Sequence, residues 1–388
     1  MRHDTAKWQP SPGQHFDVGI AGGGLAGLSL SILLAKNNFK VVVFEKEKYP
    51  FHRVCGEYIS FESWRFLQEL GLPLATLGLP AIKKLIVSAP GGRLIRADLD
   101  LGGFGISRYL IDFELKKIAD SLGVLVLEDT KVSDIAYQDE VFQMQFNDRA
   151  VTCRVAVGAF GKRSNLDVKW RRHFVQKKAG KLDNYIGVKY HIKTDFPADT
   201  IALHNFKDGY CGISKIEGDA YCLCYLTTAQ NLKDCSNSIR TMEERILGKN
   251  PWLRQIFASA AFLFSEPVAI SQISFDKKSL IENHVLMCGD AAGMITPLCG
   301  NGMSMALHTA KILAGAMVPY LQQAIAREAM EVQFKDAWKK QFQSRLRMGR
   351  SVQALFGREK LTNLFIRALQ PFPFVVRRII KSTHGKEF

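Results

Sequence analysis

Two glycine-rich segments near opposite ends of this 388-residue chain have the residue types and spacing that bind a dinucleotide. In the first, Gly22-x-Gly24-x-x-Gly27, the first glycine permits a tight turn and the second lets the backbone approach a pyrophosphate, while the third lets a helix pack closely on a strand. The second segment runs from Met287 to Met303 and contains Gly289-Asp290 followed by a glycine-rich loop. Together the two segments predict a long cofactor that is held from both sides.

The first segment lies within a predicted β-α-β unit. Residues 16–20 form an apolar strand, and residues 25–36 have a helical pattern. Residues 40–44 form a second strand that ends at Glu45. The helix offers its N-terminal amides and the positive end of its dipole to phosphates. Glu45 can accept hydrogen bonds from a ribose, and its charge argues against a 2′-phosphorylated nucleotide.

The second segment predicts the flavin end of FAD. Asp290 can accept hydrogen bonds from sugar-alcohol hydroxyls, while Gly300 and Gly302 let the backbone lie flat against an isoalloxazine ring. A helix that starts near Asn301 would direct its positive end at the pyrimidine oxygen and stabilise the reduced, anionic flavin. No second Gly-x-Gly-x-x-Gly follows. Either NADPH or NADH, as a transient electron donor, binds without a conventional domain of its own, or the electrons come from another source.

The remaining pattern predicts an α/β protein with a Rossmann-like FAD-binding domain, an inserted antiparallel β-sheet that forms a substrate domain, and a helical C-terminal tail. Residues 82–98 are predicted to form a hairpin around a Pro-Gly-Gly turn, and residues 185–227 a run of strands. The predicted FAD-binding domain is discontinuous and comprises residues 16–80, 99–165 and 275–320. Residues 81–98 and 166–274 are assigned to the substrate domain, and residues 321–388 to a basic helical C-terminal region.

Composition excludes several classes of protein. With 47% hydrophobic and 23% charged residues, the chain is expected to be globular rather than disordered. It lacks both a secretory signal and an apolar run long enough to span a membrane, so a cytoplasmic location is predicted. The eight cysteines lack the paired spacing of metal ligands, and no metal is predicted. Cys222 and Cys224 alternate along a predicted strand and should face the same side of a sheet.

Charge is concentrated in the C-terminal region. The net charge is +15, and residues 327–388 contain fourteen Lys and Arg against five Asp and Glu. No recognised nucleic-acid motif accompanies this surplus, so nucleic acid is not expected as a partner. Two interpretations stay open: a solvated helical face, and peripheral contact with an anionic membrane at its inner face.

Three separated motifs resemble those of the para-hydroxybenzoate hydroxylase class of FAD proteins, and most closely its geranylgeranyl reductase branch. They are the glycine fingerprint with Glu45, the Gly289-Asp290 segment, and Lys46-x-x-x-Pro50-x-x-Arg53-x-Cys55-Gly56-Glu57. The resemblance covers residues 16–320. It implies that Asp290 holds the ribityl chain, that residues 297–303 line the flavin ring, and that Arg108 lies near the phosphates, where its guanidinium fork suits phosphate oxygens.

The motifs and the resemblance together give a full set of predicted cofactor-binding residues: Gly22, Gly24, Leu25, Ala26, Gly27, Glu45, Lys46, Arg53, Cys55, Gly56, Arg108, Val132, Gly158, Gly161, Gly289, Asp290, Pro297, Gly300, Asn301, Gly302 and Met303.

The chain departs from the class at two places. In Gly158-Ala-Phe-Gly-Lys-Arg-Ser164 the class has an aspartate where this chain has Phe160. The glycines and the serine remain, so the turn is expected to persist, whereas the missing carboxylate argues against nicotinamide-dependent reduction. Around Tyr210 only the tyrosine of the branch's Tyr-x-Trp-x-Phe-Pro pattern remains, and this residue fits a sheet or a pocket wall equally well. The Trp-x-Trp-x-Ile-Pro signature of the related halogenases is missing, which argues against halogenation.

Cys55 is the candidate catalytic residue. In the reductase branch the corresponding cysteine lies near the flavin and is proposed to assist reduction of a carbon–carbon double bond. Arg53 and His52 would favour a thiolate if they face it, whereas a small apolar filler is the alternative role.

Three functions are compatible with these residues. The leading hypothesis is an FAD-dependent oxidoreductase that reduces or dehydrogenates carbon–carbon bonds of a small apolar substrate of prenyl or polyketide type. The second is an FAD-dependent aromatic monooxygenase that hydroxylates through a flavin peroxide. The third, of another class, is a non-catalytic escort or binding protein with a flavoprotein fold.

Overall fold

The computed structural model describes residues 14–176, 184–294, 301–355, 359–372, 374–376, 385 and 387–388. The strands form two sheets. In chain order they are β1 (His15–Ala21), β2 (Val41–Phe44), β3 (Tyr58–Ser60), β4 (Ala81–Ser88), β5 (Leu94–Gly105), β6 (Leu125–Leu127), β7 (Val132–Gln138), β8 (Val141–Phe146), β9 (Arg149–Gly158), β10 (Tyr185–Lys193), β11 (Thr200–Phe206), β12 (Gly209–Lys215), β13 (Tyr221–Thr228), β14 (Ala261–Phe262), β15 (Val268–Ile273), β16 (Ile281–Glu282) and β17 (Val285–Met287).

The helices surround these sheets. They are α1 (Leu25–Ala35), α2 (Trp64–Leu70), α3 (Arg108–Ser121), α4 (Asn165–Lys169), α5 (His173–Gln176), α6 (Ala229–Asp234), α7 (Ile239–Arg245), α8 (Pro251–Ser259), α9 (Gly302–Leu321), α10 (Arg327–Leu355) and α11 (Glu359–Leu369).

The first sheet is the predicted nucleotide-binding sheet. Its strand order is β16-β17-β9-β1-β2-β6, and β1 runs parallel to both β2 and β9. Strands β2 and β17 are buried along their whole length, which is typical of parallel strands that are covered on both faces. Helix α1 packs against α3 and α9, so the helix after the glycine turn contacts the helix after the Gly289-Asp290 segment.

The second sheet has the order β14-β10-β13-β12-β11-β4-β5-β3, with β15 beside β10. Its pairings are antiparallel except that β11 runs parallel to β4. Because side chains alternate along a strand, one face carries the apolar cluster that packs on α7 and α8, and the other face turns toward a cavity. Cys222 and Cys224 lie on the same face, opposite His191 and Lys189 of β10, as predicted.

The predicted hairpin at residues 82–98 was too short. Strand β5 continues to Gly105 and pairs with β3 as well as β4. A methyl group on Gly103 would lie 2.4 Å from the Ile59 carbonyl oxygen, and one on Gly105 would lie 1.8 Å from the Lys215 carbonyl oxygen. These two glycines therefore permit close approach of neighbouring backbones.

The described part of the C-terminal region is mainly helical, as predicted. Helix α10 packs on α9, and α11 packs on β5 of the second sheet. Within the residues described above, no helix combines the length and the apolarity needed to cross a bilayer. The predicted α/β class, with a Rossmann-like domain, an inserted and mainly antiparallel sheet and a helical tail, is confirmed. The exact domain boundaries stay a prediction.

Candidate cofactor site and adjoining cavity

The glycine turn has the geometry that its sequence predicts. Gly22 has φ +115°, in the region that favours glycine, and a methyl group there would lie 2.4 Å from the Ala159 carbonyl oxygen. A methyl group on Gly27 would lie 2.0 Å from the Gly22 carbonyl oxygen, so this glycine sets the contact between helix and strand. Gly24 is the N-cap of α1 and, with Leu25 and Ala26, lines the cavity. The start of α1 therefore faces a space in which a phosphate could accept its amides.

Glu45 holds the turn from the end of β2. Its Oε2 accepts from the Gly23 amide at 2.9 Å and from Arg53 Nη2 at 2.8 Å. The Tyr49 hydroxyl donates to the Gly23 carbonyl, which belongs to the next peptide group of the turn. Burial, followed by the nearby Glu45 carboxylate, raises the pKa of Tyr49 well above its ordinary value, so this hydroxyl keeps its proton. Glu45 thus shapes the turn as well as providing the acid expected beside a ribose.

Two arginines and two carboxylates continue from Glu45 along the cavity wall. Arg53 Nε donates to Asp112 at 3.1 Å, and Arg108 forms a bidentate pair with the same carboxylate at 2.9 and 2.7 Å. Burial opposes the charge of Arg108, but the Asp112 carboxylate outweighs it and raises the pKa of the guanidinium. Both arginines line the cavity near Gly24. They supply fixed positive charge at the place where the resemblance expects a pyrophosphate.

The Gly289-Asp290 turn meets the first glycine turn directly. Gly289 has φ +64°, and a methyl group on it would lie 2.8 Å from Ala26 Cβ. Lys278 Nζ donates to the Asp290 carbonyl at 2.9 Å and to the Lys162 carbonyl at 2.7 Å. Burial lowers the pKa of Lys278 to about 8. The carbonyl of Ala291 accepts from the buried Arg172 at 3.2 Å, so backbone contacts to two basic side chains fix this turn.

Helix α9 begins where the sequence predicts. Asn301 is its N-cap, while Gly302 and Met303 line the cavity. Pro297 and Gly300 lie outside the described residues. The turn that contains Phe160 persists, as expected. Gly161 has φ +79°, and Ser164 forms a capping box with Asp167 at the start of α4. Phe160 itself lines the cavity in place of the carboxylate that the class has.

A single cavity of about 1340 Å³ joins these elements to the second sheet. This volume exceeds the roughly 300–1,000 Å³ that is usual for one small-molecule site, so it has room for a dinucleotide and a second ligand. Beyond the glycine turns, aliphatic side chains of β4, β5, β11 and α11 line it: Leu85, Val87, Ile95, Leu99, Ile201, Leu203, Ile366 and Leu369. Tyr210 of β12 is both a buried sheet residue and part of this wall.

A buried charged cluster lies in the wall between the two parts of the cavity. Glu57, which lines the cavity, accepts from Lys189 Nζ at 2.5 Å and from His191 Nε2 at 2.6 Å, and its Oε1 also accepts from the Arg108 amide at 2.8 Å. Burial opposes its charge, but the hydrogen bond from His191 and the charge of Lys189 lower the pKa of Glu57 below its ordinary value. The Glu57 carboxylate in turn raises the pKa of Lys189 despite burial.

Thiols border this cluster. Cys55 and Cys224 line the cavity, and Cys222 Sγ donates to the Cys55 carbonyl at 3.2 Å. Burial raises the pKa of Cys224 to about 12, so this thiol keeps its proton. The two predicted partners of Cys55 are engaged elsewhere, because Arg53 pairs with Glu45 and Asp112 and His52 packs on the rings of Tyr109 and Phe264.

His52 is held neutral. Burial, followed by the charge of Lys189, lowers the pKa of His52 to about 4. Its ring meets His191 edge to face at 5.1 Å. At neutral pH the imidazole is therefore an uncharged part of the wall rather than a cation beside the thiol.

Most of the predicted residues come together. Those that line the one cavity are Gly22, Gly24, Leu25, Ala26, Glu45, Lys46, Arg53, Cys55, Gly56, Arg108, Val132, Gly161, Gly289, Asp290, Gly302 and Met303. Gly27, Gly158 and Asn301 lie one layer behind, where they shape the turns and the start of α9. Their contact with a cofactor stays a prediction.

The sequence analysis did not identify the residues that hold the predicted site residues in place through hydrogen bonds and ion pairs. Asp112 stands four residues after Arg108 on a helix, a spacing that signals an ion pair. Lys189 and His191 alternate in an otherwise apolar strand, which is a signal that they share one face. Tyr49, Arg172 and Lys278 have no comparable pattern in the sequence.

Comparisons with known proteins agree with this geometry. The family model for an NAD(P)-binding Rossmann-like domain matches residues 20–58. Conditioned medium factor receptor 1 of Dictyostelium discoideum is 24% identical over 361 residues, which are 84% of this chain and 68% of that protein. Among solved structures, the flavin-dependent brominase Bmp2 has a TM-score of 0.77 at 19% identity and covers 95% of this chain and 93% of its own.

Two further solved structures are of a reductase-like protein and of a probable monooxygenase. A geranylgeranyl bacteriochlorophyll reductase-like protein of Thermoplasma acidophilum has a TM-score of 0.74 at 17% identity, and covers 97% of each chain. PqsL of Pseudomonas aeruginosa, a probable FAD-dependent monooxygenase, has a TM-score of 0.69 at 19% identity, and covers 92% of this chain and 100% of its own.

This is the fold of FAD-dependent oxidoreductases. The predicted resemblance to that class is confirmed at this level. Brominase, monooxygenase and reductase-like proteins share the fold, so the fold by itself does not select the reaction.

Proposed function

We propose that this protein is an FAD-dependent oxidoreductase that reduces or dehydrogenates a carbon–carbon bond of a small apolar molecule. The observation that carries the proposal is the continuity of one cavity, from the paired glycine turns to an aliphatic sheet face, past a wall of buried charge and thiols.

The residues at the first end suit FAD. A methyl group on Gly24 would approach Arg108 Nη2 at 3.3 Å, so this glycine leaves space at the start of α1 beside a guanidinium. Glu45 supplies the acid expected at a ribose, and the Gly289-Asp290 turn lies against Ala26 at the other side. When bound, the flavin would supply hydride transfer. The chain would hold its phosphates with Arg108 and Arg53 and its ribityl hydroxyls with Asp290.

The residues at the second end suit an apolar substrate. Aliphatic side chains dominate the wall formed by β4, β5, β11 and α11, and they exclude water from the reacting bond. A prenyl or polyketide-type chain would gain free energy from each methylene that it buries there, about 0.8 kcal/mol per CH₂.

The wall between the two ends would manage the proton. Reduction of a carbon–carbon double bond places a hydride on one carbon and a proton on the other. Cys55 lines the cavity, and we assign its Sγ as the group that holds this proton. Glu57, two residues after Cys55, accepts from Lys189 Nζ at 2.5 Å, so this ammonium lies against the same segment of the wall. Glu57 would hold Lys189 and His191 in place, while the neutral His52 closes the wall.

An anaerobic experiment tests the proposal. The purified protein is expected to carry flavin, measured by absorbance after acid extraction. It would be reduced with NADPH, NADH or dithionite and then mixed with geranylgeraniol as a prenyl probe in deuterated water. Deuterium on a substrate carbon without incorporation of oxygen is the expected product. Absence of flavin, or a product that carries oxygen-18 after admission of labelled dioxygen, contradicts the proposal.

Cys55 has its own variants. Cys55→Ala is expected to retain flavin and lower turnover by about a hundredfold, the lower end of the usual contribution of a positioned acid. Cys55→Ser should recover part of the rate because its hydroxyl can still donate. Cys235→Ala, at the end of α6, is the control. Full turnover of Cys55→Ala with bound flavin would show that the thiol only fills space.

Monooxygenation is the second candidate function. One observation favours it: the similarity to PqsL, a probable FAD-dependent monooxygenase. The labelled-dioxygen arm of the same experiment distinguishes it from reduction. A non-catalytic escort would carry no flavin or pass no electrons to any acceptor, and the absorbance measurement detects both cases.

A further inference from the structure

Helix α11 exposes an apolar face. Leu361, Leu364 and Ala368 follow one another at spacings of three and four residues and are exposed, and Phe372 continues the same series beyond the end of the helix. Leu364 is 64% exposed, and Phe374 beside Phe372 is 68% exposed. We call Leu361, Leu364, Ala368, Phe372 and Phe374 the outer strip. Large apolar side chains grouped in this way mark an interaction site more often than an ordinary surface.

The opposite face of α11 is already occupied. Ile366 is 1% exposed and packs with Ile95 and Ala89 of the second sheet, and Phe365, Ile366 and Leu369 line the cavity. Asn363 Oδ1 accepts from the Gly91 amide in the turn before β5. The helix is thus fixed on the protein by one apolar face while a second apolar face points away from it. Packing within the described residues accounts for the apolar inner face of α11. It does not account for the apolar outer strip.

Charge indicates what covers the outer strip. The segment from Arg327 to Phe388 has fourteen Lys and Arg against five Asp and Glu, a net charge of +9. Arg367 is exposed on α11 next to the strip. A second copy of this chain would bring another strongly positive segment to the same surface, and the repulsion would oppose a dimer there. An anionic bilayer offers both an apolar interior and a negative surface.

An indole lies beside the same turn that contacts α11. Trp252 Nε1 donates to the Gly92 carbonyl at 2.8 Å, while its ring remains partly exposed. Tryptophan favours the boundary between lipid and water because its ring is apolar and its N–H is polar. Residues on two separate elements, α8 and α11, therefore meet the β4–β5 turn with features that suit a lipid surface.

We propose that the outer strip of α11 docks this protein on the surface of an anionic phospholipid bilayer. The helix lies in the plane of the interface, the strip enters the acyl boundary, and the basic segment contacts the headgroups. The inner face of the same helix lines the cavity, so docking places the apolar end of the cavity one helix thickness from lipid.

Vesicle binding tests this proposal without any dependence on turnover. The full-length protein is expected to co-sediment with vesicles of mixed phosphatidylglycerol and phosphatidylcholine at low salt, and much less with phosphatidylcholine alone. Leu364→Gln combined with Phe372→Gln should lower the partition coefficient on the anionic vesicles by about tenfold or more, because two large side chains no longer bury in the interface.

Val332→Gln is the matched control. Val332 is 54% exposed on α10, within the same basic segment but outside the strip, and its replacement should leave the partition coefficient unchanged. Flavin content and the urea midpoint of each variant establish that the fold is intact.

Three outcomes would overturn the proposal: no binding to anionic vesicles, equal binding by the double variant, or a dimer in light scattering that the double variant dissolves. The last would assign the strip to a second copy of the chain. Each outcome leaves the flavin measurements above unaffected, so failure here and failure of the proposed function are distinguishable.

Discussion

The glycine turns and the wall between the two parts of the cavity handle charge in opposite ways. At the glycine turns, Arg53 and Arg108 meet Glu45 and Asp112 in a chain of ion pairs that borders open space. At the sheet wall, Glu57 and Lys189 are fully buried and compensate each other directly. The first arrangement leaves cations and helix amides facing the cavity, whereas the second is balanced within the protein. Charge is therefore available for binding at the glycine turns and is used to build the wall at Glu57.

One residue connects the two arrangements. The Arg108 amide donates to Glu57 Oε1, while its guanidinium binds Asp112. Ser107, the residue before it, caps α3 and donates to Glu217 in the turn between β12 and β13. The start of α3 thus connects the glycine-turn end of the cavity to the second sheet.

The sharpest test of the comparison is Glu57→Gln. It leaves the Lys189 ammonium buried without its carboxylate, and loss of one partner of a buried pair destabilises a protein by about 3–5 kcal/mol. Urea unfolding of the two proteins measures this difference. The control is Asp199→Asn, which removes the exposed pair with Lys84 and should leave the urea midpoint unchanged. Equal effects of the two substitutions would show that the wall is no more dependent on its charges than the surface is.

At the cofactor end, Gly27→Ala should have the next largest effect. Its methyl group would lie 2.0 Å from the Gly22 carbonyl oxygen, so the turn must open, at a cost of about 1–3 kcal/mol. Flavin should be lost during gel filtration, and absorbance at each step reports this. Gly315→Ala makes the same substitution in α9, where no heavy atom lies within 4 Å of the new methyl group. If both variants retained flavin equally, the turn would have no special role in the site.

Arg108→Lys should have a smaller effect that is confined to binding. It keeps the positive charge but loses the bidentate fork toward Asp112 and toward a phosphate, and we expect the dissociation constant for FAD to rise about tenfold. Fluorescence titration of the apoprotein measures it. Arg65→Lys, in an exposed pair on α2, is the control. An unchanged constant for Arg108→Lys would place the phosphates elsewhere.

The smallest expected effect is a pH dependence of stability that comes from Glu57 in the wall. The pKa of Glu57 lies below its ordinary value in the folded chain, so its contribution to stability is complete above that ordinary value and is lost as the pH falls through the folded pKa. The wild-type free energy of unfolding should therefore decline more steeply below about pH 4.3 than that of Glu57→Gln. Urea titrations across the acid range measure both slopes. Parallel slopes would mean that Glu57 titrates alike in the folded and unfolded chains.

The same comparison explains how far the sequence could predict this molecule. The glycines of the first turn lie within six residues, and Glu45 ends the next strand, so the local pattern determines their placement. Glu57 meets Lys189 across 132 residues. That contact depends on the register of β10 against the segment before β3, which no local pattern specifies. The cofactor end was therefore predicted in outline, and the wall was missed.

Two other features could not be predicted from the sequence for the same reason, because they depend on contacts between distant segments. The hairpin was predicted to end at residue 98, whereas β5 continues through several glycines to Gly105, because a glycine that breaks a strand and one that permits close backbone approach look alike in sequence. The repeat of apolar residues in α11 predicts an amphipathic helix, but only the packing on Ile95 shows which face is already covered.

The contact between Gly289 and Ala26 also sets an order of assembly. A growing chain emerges from the ribosome N-terminus first, and the β-α-β unit around Gly22 is complete long before Gly289 is synthesised. Until β17 pairs with β9 and brings that turn against Ala26, only one of the two glycine turns of the predicted cofactor site is in place. We therefore expect a cofactor to bind late in biogenesis, and a chain truncated before residue 285 to be cleaved more readily by proteases.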